Sequence, residues 1–127
     1  MTLQELYARI GGDYEQAMRT LRIEKLMDKH IRKLPDNTIF AELTAAGNDM
    51  DATRIFESAH AIKGVCSNLG LVNLSALAAE ICDEFRPGCE RKQSDGEIQQ
   101  KIRDVDASFQ KAAQAIREYA AGTLSGC

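Results

Sequence analysis

Proline is scarce in this chain: Pro35 and Pro87 are the only two in 127 residues, so little stands in the way of long helices. Alternating apolar and polar runs bounded by turn residues are missing too, which removes the usual signal for strands. Charged or polar residues interrupt every apolar stretch well before the roughly 18 residues a membrane span needs. The N-terminus, MTLQELYARIGGDYEQ, lacks the basic-then-apolar layout of a signal peptide. These absences point to a cytoplasmic protein with no membrane association. Lys and Arg are scattered and the formal net charge is -3, so there is no basic footprint for nucleic acid. The four cysteines, Cys66, Cys82, Cys89 and Cys127, form no pair at the close spacing of a zinc site. They read as free thiols in a reducing compartment, two of them at core-phase helical positions. Cys89 and Cys127, in a loop and at the tail, are the ones open to oxidation. There is no Gly-rich phosphate loop, no strand to carry one and no Ser/His/Asp set. Internal repeats and low-complexity segments are absent as well.

What is present suits one domain. At 127 residues, 44% apolar and 28% charged, the chain is long enough for a single hydrophobic core and ordinary in composition. The apolar pattern is helical nearly everywhere. A short helix around residues 2–10 ends at Gly11-Gly12, and Asp13 is placed to cap the next one. From Tyr14, apolar positions 14, 17, 18 and 21 share a face, whereas 23, 26, 27, 31 and 34 lie on another. The stripe changes phase near Arg22, which predicts two helices or a bend there.

Pro35-Asp36-Asn37 then breaks the chain, and Ile39, Phe40, Leu43 and Ala46 support a brief helix expected to stop at Gly47-Asn48. Asp49 or Asp51 caps the following helix, which ends at Gly70, where glycine takes a left-handed conformation without a Cβ penalty. Its successor carries Leu74, Leu77, Ala78, Ile81 and Phe85 on one face. Arg86-Pro87-Gly88 opens a polar loop, CERKQSDGE, and Ser94 or Asp95 with Glu97 marks a capped helix start. In the last helix Ile98, Ile102, Val105, Phe109, Ala112, Ile116 and Tyr119 recur at alternating steps of four and three, a coiled-coil-like seam. The expected fold is all-α, an antiparallel up-down four-helix bundle with additional short N-terminal helices. One domain spans 1–127, with its core over about 13–120 and a frayed tail over 121–127.

One stretch, SAHAIKGVCSNLG (58–70), sets a His, a Lys and a mid-helix Gly within five positions. On a straight helix at about 100° per residue, Ile55, Ala59, Ile62, Cys66 and Leu69 form the core stripe. His60 points nearly away from that stripe, and Phe56, Glu57, Lys63, Gly64 and Ser67 fall within about 60° of it. This phase weighs against a histidine held in the core. A merely solvated histidine leaves Gly64 unexplained, because an interior helical glycine costs about 1 kcal/mol relative to Ala. A bare backbone there, with small Ser67 further along, lets an outside surface approach the imidazole. Glu57 and His60 also match the Glu-x-x-His spacing of carboxylate-bridged di-iron bundles. Such a site needs a second copy of the motif and two more inward glutamates, yet the other histidine, His30, has Met27 at that spacing. No metal site and no bound cofactor is therefore expected. There remains an exposed imidazole, whose ordinary pKa of about 6.5 leaves a neutral nucleophilic nitrogen at cellular pH. Lys63, one turn away, can offset negative charge on a group bonded to it. The set suits accepting and releasing a phosphoryl group. It does not suit unaided catalysis, since no nucleotide pocket, metal or charge clamp lies nearby.

His60-x-x-Lys63-Gly64 followed by Leu69-Gly70, preceded by an alanine and set in a helical bundle, resembles the histidine-containing phosphotransfer (HPt) domain of multistep phosphorelays. The resemblance runs from about Asp13 to Tyr119, with AHAIKGVCSNLG at its centre. It implies a phosphocarrier of the bacterial cytoplasm, not an enzyme in its own right. A response-regulator receiver domain docks, its phospho-aspartate passes the phosphoryl group to His60, and a second receiver collects it, with a hybrid sensor histidine kinase in the same relay. By the same resemblance Lys63 steadies the phosphoryl charge, Gly64 and Ser67 make room for docking, and Leu69 and Gly70 are structural. Helical phase adds Phe56 and Glu57 to the docking surface. The Mg2+ and the catalytic groups are implied to sit on the receiver. A helical module that docks receivers without taking phosphate is the alternative. Compared with the family, the first long helix looks divided at Arg22, with the short helix around 38–47 beside it. An initial Met and a complete bundle suit a free-standing chain, and a His face that must stay uncovered suits a monomer.

Overall fold

The computed structural model describes the backbone of residues 1–125 and the side chains as far as Gly122. Local signals set most helix boundaries. Thr2, Asp13 and Asp51 cap α1 (Leu3–Ile10), α2 (Tyr14–Leu21) and α5 (Ala52–Asn68), their side chains accepting from the amides of Glu5, Gln16 and Arg54. The start of α7 (Asp95–Ser125) is a reciprocal capping box: the Glu97 amide donates to Ser94 Oγ at 3.2 Å, and the Ser94 amide to Glu97 Oε1 at 3.3 Å. Between them lie α3 (Glu24–Lys33), a 3-10 turn (Leu34–Asp36), α4 (Ile39–Asp49) and α6 (Val72–Glu84). Among the described residues there is no strand.

The phase change near Arg22 is a true break. Arg22 takes a left-handed conformation, φ +69°, that closes α2, and α3 restarts at Glu24. Helices α4 to α7 form the four-helix ring, α4 packing on α5 and α7, and α6 on α5 and α7. The connections at 50–51 and 69–71 are too short for anything but antiparallel neighbours. The helix read as standing beside a divided first helix is thus itself a ring member, while α1, α2 and α3 are the additional short helices, laid on α7 and the end of α5.

The α7 seam from Ile98 to Tyr119 is buried along its whole length, as are Ile55, Ala59, Ile62 and Cys66 of α5. Each fully buried aliphatic side chain contributes about 1.5–3 kcal/mol relative to exposure. Phe40 stacks on Phe109, ring centroids 3.8 Å apart, and ties α4 to α7.

One expectation needs correction. Helix α4 does not stop at Gly47-Asn48; it runs to Asp49, and Met50, φ +48°, supplies the left-handed cap. Gly47 is buried inside the helix, where a Cβ would meet Ile102 Cδ1 at 2.6 Å, so it marks a close helix approach and not a stop. The tail expected to fray over 121–127 is described only in part, with α7 running through Ser125. Residues 126–127, and Cys127 with them, lie outside the described residues. No helix among the described residues is long and apolar enough to cross a membrane.

Candidate functional site

The core stripe of α5 fixes the rotation of the helix, and the opposite face carries the site. His60 and Gly64 are exposed, and a Cβ built on Gly64 would have nothing within 4 Å. Phe56 is half-buried against the core, its ring meeting His60 edge-on with centroids 5.8 Å apart. Glu57 is exposed on the other flank, where it lines a shallow depression with Glu42, Arg54 and Ala61. The strip read as one docking face therefore has two edges, with Glu57 toward α4 and Phe56, Lys63 and Ser67 toward α6.

Along the α6 edge the contacts are specific. His60 Nδ1 lies 4.0 Å from Cys82 Sγ. Seven residues further along α5 and seven back along α6, the hydroxyls of Ser67 and Ser75 are 2.7 Å apart. The matched steps define the antiparallel register of the two helices. Ser75 Oγ also donates to the Lys63 carbonyl at 3.4 Å, so the backbone of the half-buried Lys63 is held from the same side.

Cys82 and Ser75 are site neighbours that sequence reasoning missed. Cys82 stood out only as a core-phase thiol, and nothing local says which α6 residue meets which α5 residue. Burial pushes the Cys82 thiol up, while the nearby charges of Arg86 and Lys63 pull the other way. The thiol is thus neutral and lies within the field of two cations. Cys66, deeper in the core, is pushed up to about 12 by burial alone.

The end of α5 is anchored by the N-terminal helices. Tyr7 Oη donates to the Leu69 carbonyl at 2.7 Å, Gln16 Nε2 to the Ser67 carbonyl at 3.4 Å, and the Asp13 amide to the Gly70 carbonyl at 2.7 Å. Leu69 is buried and Gly70 takes φ +70°, so the Leu-Gly pair both turns the chain and receives these bonds. Orphan carbonyls at a helix end need such partners. The imidazole accordingly projects from a helix held at its sides and at its C-terminal end.

Among the described residues no group of three or more His, Cys, Asp and Glu side chains is placed to hold a metal. His30 lies elsewhere, beside Lys33 and Asn37 in a cleft of about 300 Å³ that α5 borders through Val65 and Asn68.

The Hpt domain family matches residues 30–119, from within α3 to the last residue of the α7 seam. The chain belongs to this family, whose members carry phosphoryl groups on histidine in phosphorelays and interact with receiver domains and kinases. The match starts at residue 30 and not near Asp13, so α1, α2 and most of α3 lie outside it. No match was found among curated proteins or among solved structures.

Proposed function

We propose that this chain is a cytoplasmic phosphorelay carrier of a bacterial two-component pathway. It accepts a phosphoryl group from a receiver-domain phospho-aspartate onto His60 and passes it to a second receiver. The single observation that carries the reading is an exposed imidazole on α5 with Lys63 one turn away and an unobstructed Gly64 beside it. With Nδ1 turned toward Cys82, the attacking atom is Nε2.

The Nε2 lone pair forms a bond to phosphorus as the bond from phosphorus to the aspartyl oxygen breaks, and the carboxylate leaves with the electron pair. The proton stays on Nδ1, so positive charge gathers on the ring and negative charge on the phosphoryl oxygens, where the Lys63 ammonium offsets it. The partner supplies Mg2+ and the remaining charge stabilisation. The second transfer is the same step reversed onto another aspartate. Gly64 and Ser67 leave room for the incoming surface, Phe56 and Glu57 border it, and the chain works as a monomer with this face open.

Incubation with a phosphorylated receiver is expected to put on this chain a phosphate that survives alkali but not acid. His60→Gln abolishes that label and leaves the helical circular dichroism intact. Label on His60→Gln sinks the assignment, and receiver binding with no label from any competent donor identifies a docking module instead.

A further inference from the structure

The phosphocarrier reading needs one ring nitrogen of His60 unprotonated and open to the partner, which leaves the proton on the other, and α6 sets a sulfur beside Nδ1. We infer that Cys82 is a positioning residue for His60: its sulfur accepts the Nδ1–H and so leaves Nε2 as the unprotonated nitrogen that faces the partner. This inference rests on the carrier reading of His60. The N···S separation of 4.0 Å is a long contact, in keeping with the weak acceptor strength of a thiol sulfur. The α5–α6 register that the Ser67–Ser75 pair reports independently holds the sulfur opposite the ring. Phe56, edge-on to the same ring from the preceding turn, restrains its plane.

A neutral sulfur suits this position better than a charged acceptor. Burial keeps the Cys82 thiol protonated despite the pull of Arg86 and Lys63. An anionic group here would favour imidazolium before any phosphoryl group arrived, and imidazolium has no lone pair with which to attack. A neutral acceptor biases the tautomer without taking the proton. During transfer the proton remains on Nδ1 while the ring becomes cationic, so the N–H···S contact strengthens as the N–P bond forms. Reversal weakens it again and releases the ring for the next cycle.

The test is 15N NMR of the imidazoles in the full chain at a pH where they are neutral, with the His60 signals assigned by their loss in His60→Gln. Wild-type His60 is expected to carry its proton on Nδ1. Cys82→Ala is expected to shift it toward a mixture of tautomers and to slow phosphoryl acceptance about fivefold, the rate equivalent of one weak hydrogen bond. Cys82→Ser, which restores an acceptor of similar size, is expected to recover both. An Nε2–H tautomer in the wild type overturns the inference, and so does an unchanged tautomer in a folded Cys82→Ala. If Cys82→Ala does not fold, the wild-type tautomer decides alone. The tautomer needs no phosphate to be read, so a wild type that shows Nδ1–H and never takes label removes the carrier reading separately.

Discussion

Asp13 and Gly70 hold two distant parts of the chain in one joint. The Asp13 amide donates to the Gly70 carbonyl at 2.7 Å, and a Cβ on Gly70 would stand 2.3 Å from the Asp13 carbonyl oxygen. Gly70 turns the chain out of α5 at φ +70° and at the same place seats the start of α2. The end of the His60 helix and the N-terminal helices therefore depend on one missing side chain.

Gly70→Ala combines a strained φ with a backbone clash that no side-chain rotation relieves. The expected loss is about 3 kcal/mol, read as a lower urea midpoint with an unchanged slope. A loss below about 1 kcal/mol would mean that the α2–α5 joint yields freely.

Gly64→Ala should act in the opposite direction. Nothing lies within 4 Å of the added Cβ, so helix propensity alone applies and the free protein gains about 0.5–1 kcal/mol. Receiver binding should weaken in the same variant, because the backbone beside His60 is no longer bare. Thermal unfolding and receiver titration measure the two effects separately, and unchanged binding would remove docking as the reason for this glycine.

Gly47→Ala sets the added methyl against Ile102 Cδ1 in the α4–α7 contact. The overpacking should cost about 1–2 kcal/mol, outweighing the propensity gain. Ile102→Val removes the opposing atom, so the double variant should be more stable than the two single losses summed. A double-mutant cycle on urea unfolding checks this coupling.

Tyr119 predicts the alkaline limb of stability. Its hydroxyl donates to Asp28, and burial first, then that hydrogen bond, push the phenol up to about 12 from 10.0. The folded chain keeps a proton that the unfolded chain releases near pH 10. This contribution is intact below about pH 10 and is lost as the pH rises through about 12. Tyr7 moves in the same direction, mainly through burial. Tyr119→Phe should cost about 1 kcal/mol at neutral pH and flatten the fall of the melting temperature above pH 10, as followed by circular dichroism.

Local chemistry made much of the fold legible. Asp13, the pair Asp49 or Asp51, and Ser94 or Asp95 with Glu97 mark helix starts, and the phase shift at Arg22 marks a break, because a cap or a stripe depends only on residues a turn or two apart; the structure selects Asp51 and Ser94. Gly47 misled for the opposite reason. A glycine that ends a helix and one that admits a neighbouring helix look alike until Ile102, far along the chain, is in place. The additional helices gave a similar surprise: α4 was legible as a helix, but only the contacts made it a ring member.

At the site the same division holds. The sequence by itself determined that His60 faces away from Ile55, Ala59, Ile62 and Cys66, since 3.6-residue periodicity follows from backbone geometry alone. It also determined that Lys63 and Gly64 lie about one turn further on. Only the tertiary structure decided that Cys82 meets Nδ1, that Ser75 binds Ser67, and that Tyr7, Asp13 and Gln16 fasten the end of α5. Those contacts depend on the register between α5 and α6 and on the way α1 and α2 fold back. Both are settled by packing many side chains at once, and no short stretch of sequence records that outcome.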